Sequence, residues 1–175
     1  MNGITRTDRS SPILQSYPAT RLHTWGGRKF APATYGEGYR YCLPVDEEEL
    51  TRQELTHRAW AAVGKIIAVD VGLIPAGTIL DLGTGWALWV SEVAMIFANQ
   101  EIVGVDLYVD ASEVILNNAT FVVKNYEEKF GVEDGQVALI NLRDAELSLR
   151  NPEQLARNIF IDLCPGAGSR TMKCV

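Results

Sequence analysis

The segment Leu80-Asp81-Leu82-Gly83-Thr84-Gly85-Trp86-Ala87 places two glycines between an apolar run and a helix-forming one. Glycines in such a turn let the backbone approach a ligand closely, and the helix that follows offers free N–H groups to the ligand's polar part. Asp106 ends the next apolar run, 23 residues after Gly83, where a carboxylate can accept both hydroxyls of a ribose. Glycine turn and downstream acid together predict an adenosine-type ligand. A dinucleotide is disfavoured, because GxGxxG would require glycine at Leu88. A P-loop is excluded, because no Gly-Lys-Ser/Thr follows.

Other residue types that can do chemistry are sparse. His57 and His23 are the histidines, and either could act as a general base near neutral pH. A packed or solvated histidine is the commoner case, since no Ser, Cys or Asp arrangement goes with them. The Asp46 to Glu49 run reads as a charged helix start and not as a metal site, because consecutive helix positions do not face one another. Cys42, Cys164 and Cys174 form an odd, widely spaced set, which suggests neither disulfides nor zinc and fits a reducing compartment. Trp60 and Trp89 lie among apolar helix positions and read as core packing.

The elements that position these residues follow from periodicity. Residues 1–34 are rich in Ser, Thr, Arg and Pro without a period and read as an extended or partly disordered arm; residues 35–175 read as one domain. Asp46 caps a helix with Glu49 three residues on, running to about Ala68. Leu55, Ala59, Ala62, Val63, Ile66 and Ile67 recur at helical spacing and are expected to form its buried face. Strands are predicted at 78–82, 101–107, 120–123 and 137–142, a helix at 86–98, another at 152–163 with Asn151 as cap, and a last strand at 169–175. This alternation predicts an α/β fold, an open, mostly parallel sheet with helices on both faces.

With 175 residues and a formal net charge of −6, the chain has room for a core and lacks the basic excess that nucleic acid or an anionic membrane surface attracts. The longest apolar stretch, 86–98, is broken by Ser91 and Glu92, too short to span a bilayer. No apolar signal core opens the sequence, so a cytoplasmic or nuclear protein is expected, with small-molecule or protein partners.

LDLGTG with Trp89 and VGVDL resembles motif I and its acidic partner in S-adenosylmethionine-dependent methyltransferases. Within that superfamily the chain resembles the LaeA-like fungal methyltransferases of secondary metabolism. Tyr39-Arg40-Tyr41 with Pro44-x-Asp46-Glu47-Glu48-Glu49, Asn118-Ala119-Thr120-Phe121, Leu149-Arg150-Asn151-Pro152-Glu153 and Leu163-Cys164-Pro165-Gly166 carry this narrower likeness. The resemblance implies a Rossmann-like methyltransferase fold and S-adenosylmethionine as cofactor. Asp81, Gly83 and Gly85 would line its methionine end, Asp106 would hold the ribose and Asn125 the adenine. It also implies that the arm bearing Tyr35, Tyr39 and Tyr41 closes over cofactor and substrate.

The sequence departs from that pattern in places. The family's third glycine falls at Ala87, the bulky Trp86 precedes it, and Lys124 stands where an acidic residue is usual; these positions would obstruct the cofactor. The sequence is also shorter than the family at its C-terminal end, lacking the final hairpin, so strand 169–175 would be an open edge that invites a homodimer or a heteromeric partner. Three functions follow. The first is methyl transfer to a polyketide- or terpenoid-like small molecule, with His57 and Tyr41 as candidate catalytic residues. The second is a cyclase or isomerase that keeps the fold without methyl transfer, and the third a non-catalytic partner subunit.

Overall fold

A computed structural model describes residues 22–31, 41–64, 66–109, 116–130, 132, 134–145 and 148–163. Strand β1 (His23–Trp25) and strand β2 (Arg28–Phe30) form a small antiparallel hairpin. Its turn is Gly26-Gly27, with φ of 57° and 79°, the left-handed pair that a tight two-residue hairpin turn requires. The arm expected over 1–34 is therefore folded in its described part, and the Gly-Gly pair was the signal for it.

Helix α1 (Glu47–Val63) starts where the sequence places it. Asp46 Oδ1 accepts the Glu49 N–H at 3.2 Å, the capping contact that satisfies a free first-turn donor. The same carboxylate takes both ends of the Arg28 guanidinium at 2.8 Å and the Lys29 N–H at 3.0 Å, tying the hairpin to the helix start. These contacts hold the Asp46 carboxyl well below the usual carboxylate range.

α1 departs from expectation in two ways. It stops at Val63, with Gly64 as its C-cap, so Ile66 and Ile67 join the core from beyond the helix. Its expected apolar face is the exposed one: Leu55, Ala59, Ala62 and Val63 point outward, and Glu49 and His57 are buried. Periodicity located the stripe, but the surface beneath α1 is polar and takes the helix's polar side.

Strands β3 (Thr78–Leu82), β4 (Ile102–Asp106), β5 (Ala119–Val123) and β6 (Val137–Leu142) form one sheet in the order β5-β4-β3-β6. All three neighbouring pairs are parallel. With helix α2 (Leu88–Ile96) on one face and helix α3 (Pro152–Asp162) on the other, this is the Rossmann-like α/β fold of methyltransferases. Because side chains alternate along a strand, Ile79, Ile102, Phe121 and Leu139 pack with Trp89, Val90 and Val93 of α2. Leu80, Leu82, Val105 and Ile140 pack with Leu155 and Ile159 of α3. Each fully buried Val, Leu or Ile contributes about 1.5–3 kcal/mol.

α2 begins two residues later than expected. Ala87 before it is left-handed, at φ 59° and ψ 24°. That geometry costs an L-residue about 1–2 kcal/mol, which is why glycine suits the position. α3 matches expectation, with Asn151 Oδ1 accepting the Gln154 N–H at 3.0 Å and Pro152 in the first turn. Strand 169–175, Tyr35 and Tyr39 lie outside the described residues.

Candidate functional site

The carboxyl ends of β3, β4 and β6 floor a cavity of about 130 Å³, and α1 covers it with Gln53, Thr56, His57 and Trp60. Ligands in open parallel sheets sit at this end, where helix N-termini and loop amides converge.

Asp81, near the end of β3, is 3% exposed. The β3–β6 register sets it beside Asn141, whose Nδ2 donates to Asp81 Oδ1 at 2.6 Å. Burial raises its pKa, against the opposing hydrogen bond from Asn141. Asp106, at the end of β4, accepts the Gly85 N–H on Oδ2 at 2.8 Å and the Tyr108 N–H on Oδ1 at 3.3 Å. Burial pushes its pKa up to about 6, with the two backbone donors acting in the other direction and the Asp81 charge adding to the rise. Thus Gly83, Gly85, Asp81 and Asp106 converge on one cavity, as the sequence motif requires.

Asn125 does not join them. Its Oδ1 accepts the Glu127 N–H at 3.0 Å in a local turn, and it is not part of the cavity wall. The Trp86 indole is half-buried and is likewise absent from that wall. Lys124 donates its backbone N–H to the Asp106 carbonyl at 2.8 Å, continuing the β4–β5 pairing. The narrowing comes from residues the sequence did not single out. A Cβ at Gly85 would stand 3.1 Å from Gln53 Oε1, and one at Gly83 would stand 3.8 Å from the Tyr126 ring. The Tyr126 hydroxyl is held by Ser148 Oγ at 2.6 Å.

His57 sits in the roof between two partners. Arg143 Nη2 lies 3.2 Å from Nδ1, and Glu92 Oε1 lies 3.1 Å from Nε2. A guanidinium can only donate, so Nδ1 accepts from Arg143 and Nε2 donates to Glu92. In that arrangement the Nδ1 lone pair is engaged. Tyr41 lines the same cavity; burial, aided by the Asp106 and Glu49 carboxylates, keeps its hydroxyl protonated well above its ordinary pKa. Trp89 is core, as expected, with Nε1 donating to the Ile66 carbonyl at 2.9 Å, whereas Trp60 is half-buried and borders the cavity. Asn141 had one sequence signal, a polar residue inside the apolar run 137–142.

S-adenosylmethionine can be tested against these residues. Two carboxylates, Asp81 buried and Asp106 half-buried, together with left-handed glycines at 83 and 85 match a ribose and an amino-acid end. The volume does not yet match, since small-molecule sites run from roughly 300 Å³ upward. The chemistry of the donor set fits, and Gln53 closes on Gly85 from the α1 side of the wall.

No protein-family model matches the chain. The secondary metabolism regulator LAE1 of Cochliobolus heterostrophus is 32% identical over 133 residues, covering 73% of this chain and 43% of that protein. The protein-methionine methyltransferase laeA of Emericella nidulans is 30% identical over 156 residues, covering 84% of this chain and 39% of that protein. The chain thus spans less than half the length of these curated relatives. Among solved structures, a chain of the complex between the Haloferax volcanii Trm112 methyltransferase activator and the putative methyltransferase aligns with a TM-score of 0.45 at 17% identity, covering 69% of this chain and 57% of that one. No described helix is long and apolar enough to cross a membrane.

Proposed function

We propose that this chain, a LaeA-like relative within the S-adenosylmethionine-dependent methyltransferase superfamily, binds that cofactor at the glycine turn and serves methyl transfer in fungal secondary metabolism. The observation that carries the reading is the convergence of Asp81, Gly83, Gly85 and Asp106 on one cavity. When bound, the cofactor supplies a methyl group activated on a sulfonium. This chain's residues would bind and orient: Asp106, which accepts the Gly85 N–H, would also accept from the ribose hydroxyls, and the two glycines permit close approach. Asp81, steadied by Asn141, would receive the amino-acid end. Helix α1 excludes water, which strengthens each polar contact beneath it.

A hydroxyl on a polyketide- or terpenoid-like acceptor needs a base. His57 does not offer one in this arrangement, because its lone pair accepts from Arg143. This favours an acceptor without a proton to lose, such as the thioether of methionine, the residue for which the Emericella relative is named. Positioning and a dry site then suffice.

Calorimetric titration with S-adenosylhomocysteine tests the binding. The reading expects micromolar affinity that Asp106→Ala abolishes, and affinity that weakens as the pH falls through about 6, where Asp106 gains its proton. Absence of binding in the wild type overturns it and favours a cyclase, an isomerase or a non-catalytic subunit. Mass spectrometry of methionine peptides and small metabolites incubated with the cofactor then identifies the acceptor.

A further inference from the structure

Helix α1 is turned inside out. Gln53 and His57 face the cavity, and on the opposite side Leu55, Ala59, Ala62 and Val63 face solvent. Leu55 is 61% exposed and Val63 81%. An apolar stripe at helical spacing on the outer surface is a face with something left to bury.

We propose that the outward face of α1 packs antiparallel against α1 of a second copy of this chain, about a two-fold axis that crosses the stripe beside Leu55, at the level of residue 56. The stripe is self-complementary in that arrangement. Leu55 seats between Leu55 and Ala59 of the second copy, and Ala62 lies over its Thr51. The small alanines let the two backbones approach closely. Antiparallel helices also set opposite dipole ends together.

Charge points to the same register. Glu54 and Arg58 share one flank of the stripe, Arg58 exposed and Glu54 half-buried, and form only a loose pair at 3.8 Å within the helix. Around a two-fold axis, like flanks meet, as in any isologous contact. Arg58 of each copy then faces Glu54 of the other, giving two symmetric pairs. On the other flank, Arg52 is already held by Glu49 at 2.7 Å and leaves no unpaired charge against the stripe. A partner strand at the sheet edge, expected from residues 169–175, would leave this stripe exposed.

Sedimentation velocity of the full chain across a concentration series tests the proposal. A monomer–dimer equilibrium is expected. Leu55→Asp gives monomer throughout, and Arg58→Glu weakens association about tenfold or more by setting Glu against Glu twice. The double variant Glu54→Arg/Arg58→Glu restores wild-type association, because the pairs re-form with signs exchanged. Circular dichroism verifies that each variant is folded, which exposed positions permit. A wild-type monomer at every concentration overturns the proposal. So does a dimer indifferent to Leu55→Asp or Arg58→Glu, or a double variant as weak as the single one.

Discussion

α1 and α3 start alike and pack in opposite ways. Each has a polar N-cap whose side chain accepts a first-turn N–H, Asp46 for α1 and Asn151 for α3. α3 then buries Leu155 and Ile159 against the sheet, while α1 buries Glu49 and His57 and shows Leu55 to solvent. The difference lies in what is beneath. α3 rests on an apolar sheet face, whereas α1 spans strand ends that carry Asp81, Asp106 and Asn141. A cap determines where a helix starts, and the floor determines which way it turns.

The contrast is sharpest if α3 is cut from below. Ile159→Ala, at a site 2% exposed, is expected to lower unfolding free energy by about 2–4 kcal/mol in a denaturant melt. Beneath α1 the opposite sign is expected when the half-buried Asp106 is removed. The folded pKa of Asp106 stands above its ordinary 3.8, at about 6. Stability it contributes is therefore present below about pH 4 and lost as pH rises through about 6. Asp106→Asn should stabilise the protein at about pH 7 by up to about 3 kcal/mol and leave it unchanged at about pH 4, read from denaturation midpoints at both.

Smaller effects separate the cap from the stripe. Asp46→Ala removes the cap and the anchor for Arg28, and is expected to lower the midpoint of thermal melts. Because the Asp46 carboxyl titrates below its ordinary range, this loss should shrink as the solution is made strongly acidic. Leu55→Ser should change the stability of the dilute monomer by less than about 0.5 kcal/mol. A cost near that of Ile159→Ala would show that Leu55 is buried after all, and would erase the contrast between the helices.

Much of this was legible in the sequence where the cause is local. β3 and β6 fall where alternating and continuous apolar runs place them, and α3 is bounded by Asn151 and Pro152. The glycine turn and Asp106 announced the site, because both sit at fixed offsets from a strand. What escaped depends on distant residues. The stripe on α1 could be read but not its direction, since periodicity does not say which side meets a polar floor. Gln53, Tyr126 and Arg143 reach the cavity through tertiary packing alone. Asn125 was assigned by its place after the third strand, yet its oxygen serves the turn that follows. The β1–β2 hairpin had a local signal in Gly26-Gly27 that composition obscured.

The parallel register of β3 also bears on how the chain reaches this state. β3 pairs with β4 and with β6, and the contact between Asp81 and Asn141 joins residues 60 apart in the chain. Such pairings close long loops before they gain contacts, and this slows folding. Until β6 docks, Asp81 has no Asn141 to answer it and must remain wet. The docking of β6 is then the step that joins Asn141 to Asp81 and completes the floor of the cavity.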